Sequence, residues 1–206
     1  MFEVDPNSQS NLDVVATEHV HLELAVDFAT QQLSGVATLE LLVVAQTLEV
    51  VLDTAHLSVK RASLLGDDGE SSALPIDIST QHAIYGTALR LALPRAASKG
   101  DKIKIAIEYA TTKKGGAIQF LTPEQTLGKK HPYLFTQCEE IHARSLFPCQ
   151  DSPSVKIAYS ANIRVPNPLT ALMSAISTGS RVDGDHTVFS FEQATTIPSY
   201  LVALVV

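Results

Sequence analysis

The 206-residue sequence is most informative in what it lacks. It has only two cysteines, Cys138 and Cys149, and a chain this long buries a core without cross-links, so free thiols in a reducing cytoplasm are the expectation. No apolar run approaches the roughly 18–20 residues that cross a bilayer. The polar opening stretch, Met1 to Asp13, has neither the basic start nor the apolar centre of a secretory signal. No membrane association is expected. Basic residues are outnumbered, 15 against 22 acidic ones, for a net charge of -7, and no Lys/Arg stripe is present to displace counterions from a phosphate backbone. Nucleic acid is therefore not an expected partner.

Several chemistries are missing as well. The sequence contains no His-Glu-x-x-His for a helical metal site, no phosphate-cradling loop ending in Gly-Lys-Ser/Thr and no Gly-x-Ser-x-Gly nucleophile turn. His19 and His21 occupy one face of a predicted strand, but no carboxylate or third histidine is evident beside them, so they read as solvated rather than ligating. Glu139 and Glu140 are adjacent in what reads as an extended segment. Side chains there alternate, so at most one of the two is expected to face a given site. No metal ligand and no catalytic residue is assigned.

What is present is strand periodicity. From His19 to Phe28, Val20, Leu22, Leu24 and Val26 alternate with polar residues, the period of two that marks a half-buried strand. Val36 to Ala45, Leu48 to Leu52, Leu57 to Leu65, Lys102 to Tyr109, Val155 to Val165 and Thr187 to Phe191 read likewise. Turns are predicted at Asp67-Asp68-Gly69, Ser98-Lys99-Gly100-Asp101 and Asp183-Gly184-Asp185. No long helical period occurs. The prediction is all-β, a large curved antiparallel sheet or sandwich forming a single domain over residues 1–206. The closing run Tyr200 to Val206 reads as an apolar strand with an open edge. Between Thr112 and Asp151 the strand pattern dissolves. A long irregular segment that keeps aromatic residues such as Phe120, Tyr133 and Phe135 is expected to be ordered and functional.

That segment ends in Thr136-Gln137-Cys138-Glu139-Glu140-Ile141-His142-Ala143-Arg144-Ser145-Leu146-Phe147-Pro148-Cys149-Gln150-Asp151-Ser152-Pro153-Ser154-Val155-Lys156. It resembles the Gln-x-Glu, Ala-Arg, Phe-Pro-Cys-x-Asp-x-Pro-x-x-Lys signature of the M1 zinc aminopeptidases. Leu121 to Thr126, His131 to Phe135, Ala171 to Ile176 and Ile197 to Val206 are similar to the branch holding leukotriene A4 hydrolase and aminopeptidase B.

The resemblance implies a saddle-like amino-terminal β domain that packs on a carboxy-terminal catalytic domain of the same polypeptide. The zinc ligands would lie beyond Val206, leaving this chain alone inactive. It further implies that Gln137, Cys138 and Glu139 line the cleft for peptides with a free amino terminus. A carboxylate there pairs with the substrate's α-ammonium. Leukotriene A4 hydrolases commonly carry Gln where this sequence has Glu139, so it is similar here to ordinary aminopeptidases. The competing readings are a bifunctional epoxide hydrolase and aminopeptidase, separated by assaying a fatty-acid epoxide, and a non-catalytic β-sandwich binding module. Arg144 and Asp151 read as a structural ion pair, since a buried guanidinium needs a fork-matched carboxylate.

Overall fold

Half-buried strands with aliphatic residues at every second position fold here into three sheets. The computed structural model describes residues 5–66 and 69–206. In chain order its strands are β1 (Val15–Asp27), β2 (Gln32–Val43), β3 (Thr47–Thr54), β4 (Leu57–Leu65), β5 (Ser71–Leu74), β6 (Ile76–Asp77), β7 (Gln81–His82) and β8 (Gly86–Ala97). There follow β9 (Lys102–Thr111), β10 (Ile118–Leu121), β11 (Tyr133–Thr136), β12 (Lys156–Pro166), β13 (Leu172–Met173), β14 (Ile176–Asp183), β15 (His186–Pro198) and β16 (Leu204–Val205). Among the described residues no helix is long and apolar enough to cross a membrane.

Eight strands form the main sheet in the order β14-β15-β12-β1-β2-β9-β4-β5. Two smaller sheets, β3-β8-β6 and β10-β11-β16-β13, complete the architecture. The all-β expectation is met, and the predicted turns at Ser98 to Asp101 and Asp183 to Asp185 join β8 to β9 and β14 to β15. Of the third, Asp67 and Asp68 lie outside the described residues.

The main sheet is not wholly antiparallel. β1 and β12 run parallel, His21 opposite Ser160 and Leu24 opposite Ile163. More than a hundred residues separate the two strands, so no hairpin fixes their relative direction.

One face of the main sheet carries Val20, Leu22, Leu24, Leu39, Ile105, Ile107, Tyr159 and Ile163 into a single hydrophobic cluster. Val50, Leu52, Leu89 and Leu91 join it from one small sheet, and Leu134 and Leu204 from the other. Each such leucine or isoleucine contributes about 1.5–3 kcal/mol on burial, which makes this cluster the main stabilising element.

The stretch Thr112 to Asp151 is less irregular than its sequence suggests. β10 and β11 pair antiparallel within it, Phe120 opposite Leu134. Each has four residues, too few to show a period, and β11 is completed only by the distant β16. The closing run is likewise not one open-edged strand. Ser199–Leu201 form a single 3-10 turn, and β16 lies inside its sheet between β11 and β13. Val206 donates to Leu134 O at 2.9 Å and accepts from Leu134 N at 2.8 Å.

Candidate functional site

Directly after β11 the chain leaves the sheet. Gln137 N donates to Ala117 O at 2.8 Å, and His142 N closes a turn by donating to Cys138 O at 2.9 Å. Gly115 and Gly116 let the neighbouring strand approach this turn closely; a Cβ on Gly116 would stand 3.0 Å from His142 Nδ1. Ser145 Oγ, from the 3-10 turn Ala143–Ser145, accepts from Ala117 N at 2.9 Å and donates to His142 O at 2.8 Å. Tyr109 OH donates to Leu146 O at 3.0 Å from within the core. The turn is thus fastened on every side by backbone and hydroxyl bonds.

Beneath it lies a buried charged knot. Arg144 Nε donates to Asp151 Oδ2 at 2.9 Å, Nη1 to Tyr85 O at 2.8 Å, and Nη2 to Asn7 O and Asp151 O, each at 3.0 Å. Asp53 Oδ1 stands 3.6 Å from Arg144 Nη1. Asp53 also accepts from Ser8 Oγ at 2.6 Å, Gln9 N at 2.7 Å and Asp151 N at 3.0 Å. Ser199 Oγ donates to Asp151 Oδ1 at 2.6 Å. Burial pushes the Asp53 carboxyl up, and the neighbouring guanidinium opposes the shift. The expected Arg144–Asp151 pair is therefore present within a larger network that also holds Asn7 and Tyr85.

Above the knot opens a groove of about 910 Å³, lined among others by Asp5, Asn7, Tyr85, Glu139, Glu140 and Tyr200. Arg144 binds the backbone of two of these residues and of Asp151, which precedes the lining residue Ser152. The walls are consequently fixed from below.

Glu139 and Glu140 are both exposed and both line this groove. The expectation that at most one would face it is corrected: the two lie in a turn, where strand alternation does not apply. Among the described residues neither forms an ion pair; the Glu139 contact shown is its N–H donating to Gln137 Oε1 at 3.2 Å.

Of the three residues the sequence singled out, Gln137 and Glu139 are exposed, and Glu139 lines the groove. Cys138 belongs to the hydrophobic cluster instead. Burial pushes its thiol up to about 12, with Asp151 adding to the effect. Its side chain is not presented to the groove, so a side-chain role for Cys138 in binding does not follow from its placement.

Gln150 is a feature the sequence reading passed over. Its Nε2 donates to Val15 O at 2.9 Å, and its Oε1 accepts from Thr17 N at 2.8 Å and Thr17 Oγ1 at 2.9 Å. The buried amide thereby completes the backbone bonding of β1 beside its bulge between Thr17 and His19.

On the opposite, polar face of the main sheet, His19 and His21 are half-buried rather than freely solvated. Ser160 Oγ, delivered by the parallel β12, lies 2.7 Å from His21 Nδ1 and 3.3 Å from His19 Nε2. Glu23 Oε1 lies 3.6 Å from His21 Nε2. Among the described residues no group of three or more His, Cys, Asp or Glu side chains is arranged to hold a metal ion.

Comparison with known proteins gives this geometry a family. The model of the Peptidase M1 N-terminal domain matches residues 16–201. Leukotriene A-4 hydrolase of Xenopus laevis is 38% identical over 206 residues, covering 98% of this chain and 33% of that protein. Leucine aminopeptidase 2 of Sclerotinia sclerotiorum is 39% identical over 207 residues, covering 97% and 33%. The chain thus spans about a third of the length of the curated relatives it matches. Native yeast LTA4 hydrolase superposes with a TM-score of 0.86 at 36% identity, over 98% of this chain and 30% of that one. An M1 zinc metallopeptidase from Deinococcus radiodurans shares the fold alone, with a TM-score of 0.75 at 21% identity over 93% of this chain and 42% of that one. With the family model matching residues 16–201 and relatives 38–39% identical over nearly the whole chain, the chain belongs to the M1 peptidase family, as its N-terminal domain.

Proposed function

We propose that this domain anchors the free amino terminus of a peptide for a zinc aminopeptidase whose metal is held by another part of the polypeptide. The observation that carries the reading is Glu139, an exposed carboxylate on the wall of a rigidly supported groove, with no cation of the described residues paired to it.

An α-ammonium entering the groove gains a charge-assisted hydrogen bond, roughly twice as strong as a neutral one. Because the Glu139 turn is fastened by Ala117 and Ser145 and underlain by Arg144, little ordering remains to be done at binding. Gln137, exposed beside it, offers a neutral amide to the same substrate. Zinc, where the family carries it, supplies Lewis-acid chemistry and an activated water. The described residues do not fit it, so the proposal assigns this domain positioning alone. The free, buried thiols of Cys138 and Cys149 support a cytoplasmic setting. The hydrophobic cluster, shared by all three sheets, supports treating residues 1–206 as one domain.

The test is zinc content and hydrolysis of an aminoacyl arylamide, measured on this chain and on the full-length polypeptide. The expected result is zinc and turnover only in the latter. Turnover by the isolated chain would defeat the division of labour.

A further inference from the structure

The polar face of the main sheet holds a cavity of about 420 Å³ that the proposed function does not use, lined among others by His19, His21, Glu23, Thr38, Leu65 and Ser160. The parallel pairing of β1 with β12 sets Ser160 directly opposite His21, although 139 residues separate them in sequence. Alternation along β1 brings His19, His21 and Glu23 to the same face. Ser160 Oγ therefore stands 2.7 Å from His21 Nδ1 and 3.3 Å from His19 Nε2. Glu23 Oε1 stands 3.6 Å from Nε2, the other ring nitrogen of His21.

A serine hydroxyl carries one hydrogen, so the two imidazoles cannot both accept from it. The shorter contact takes it, which makes His21 Nδ1 the acceptor and leaves the ring proton of His21 on Nε2, facing Glu23. His19 Nε2 then carries its own proton and donates toward Ser160 Oγ. Asn162 Nδ2, 3.5 Å from both His21 Nε2 and Glu23 Oε1, serves the carboxylate in this arrangement, while Asn162 Oδ1 accepts from Ser190 Oγ at 2.8 Å. Hydroxyl, base and orienting carboxylate thus follow one another in the order that activates a nucleophile.

We infer that Ser160 is a nucleophile for acyl transfer from short-chain esters with a good leaving group, with His21 as its base and Glu23 as a positioning residue. Ser160 Oγ bonds to the acyl carbon as its proton passes to His21 Nδ1. The bond to the leaving oxygen breaks, and that oxygen takes the proton from Nδ1. Water then attacks the acyl-serine, giving a proton to His21 that returns to Ser160 Oγ as the acid departs. The Nε2–H of His19 lies beside the carbonyl oxygen as its charge develops. Leu65 and Thr38 give the cavity an uncharged wall against which a short acyl or aryl group can lie. β1 and β12 both have neighbours on either side in the sheet, so their N–H groups serve the ladder and the oxyanion is left to His19. With that single side-chain donor the site is limited to activated esters and leaves amide bonds untouched. The inference is therefore independent of the proposed peptidase function.

The experiment treats the full-length polypeptide with p-nitrophenyl acetate and follows acetyl-Ser160 by peptide mass spectrometry, with the same polypeptide unfolded in urea as the reference. Ser160 is expected to acetylate about 100-fold faster in the native state, the lower end of what a positioned base contributes, and His21→Gln is expected to remove that advantage. Glu23→Gln is expected to slow acetylation several-fold at an unchanged melting temperature, and Glu23→Asp to restore it. Ser160→Ala is expected to abolish the mapped adduct while arylamide hydrolysis stays at the wild-type rate. Acetylation of Ser160 no faster in the native than in the unfolded state, or equally fast with and without the His21 imidazole, would overturn the inference and leave the peptidase function standing. Rapid acetylation of Ser160 in a polypeptide without arylamide turnover would remove that function and support this site.

Discussion

Arg144 Nε lies 2.9 Å from Asp151 Oδ2 with both side chains 1% exposed, so a full ion pair is buried directly beneath the groove that Glu139 lines. Its significance is positional. The same guanidinium holds the carbonyls of Asn7 and Tyr85, which join the amino-terminal segment and the loop before β8 to the Glu139 turn.

Removing one partner of such a pair leaves the others buried and uncompensated. Arg144→Met leaves Asp53 and Asp151 without their cation, and is expected to destabilise the domain by about 3–5 kcal/mol. Urea denaturation followed by circular dichroism measures it. A loss within about 1 kcal/mol, the range of an exposed pair, would contradict the burial.

The two thiols test the interior differently. Burial disfavours the thiolate at both sites, pushing Cys138 up to about 12 and Cys149 well above its ordinary value. The thiolate is the nucleophile, so neither cysteine is expected to react with a chromogenic disulfide at pH 8 in the native domain. Both should react once the domain is unfolded. Rapid labelling of one thiol in the native state would place that cysteine outside the core.

His19 supplies the pH dependence. Burial lowers its pKa below the ordinary histidine value of about 6.5; Glu40 and Glu192 oppose the shift, while His21 and Lys104 add to it. The folded domain therefore binds fewer protons at this site than the unfolded chain. Its contribution to stability is complete above about pH 6.5 and is lost as the pH falls through the folded value. The melting temperature is expected to decline across that window in the wild type and to decline less in His19→Asn. Identical profiles for the two proteins would show that His19 is not the group responsible.

The sequence displayed the long strands and concealed how they are arranged. β1, β2 and β9 bury one face, so their alternation was readable from residues such as Val20, Leu22, Ile105 and Ile107. β14 was not readable, because its residues are exposed on both faces and leave no period. The parallel pairing of β1 with β12 depends on a partner far along the chain, as do the short β11 and β16. At the site, the signature marked Glu139 and the Arg144–Asp151 pair. It could not show that Cys138 turns inward while Glu140 joins Glu139 on the groove, since side-chain direction in a turn follows from its hydrogen bonds and not from residue spacing. Gln150 escaped for the same reason: its role appears only when Val15 and Thr17 are brought beside it.

The most direct test of the account is Glu139→Gln in the full-length polypeptide, with binding compared for a peptide carrying a free α-ammonium and for the same peptide acetylated. Loss of a hydrogen bond between charged groups costs about 1.5–3 kcal/mol, so affinity for the free-amine peptide is predicted to fall by roughly 10- to 100-fold while the acetylated peptide is nearly unaffected. An equal change for both peptides would contradict the assignment of Glu139 as the amino-terminal anchor.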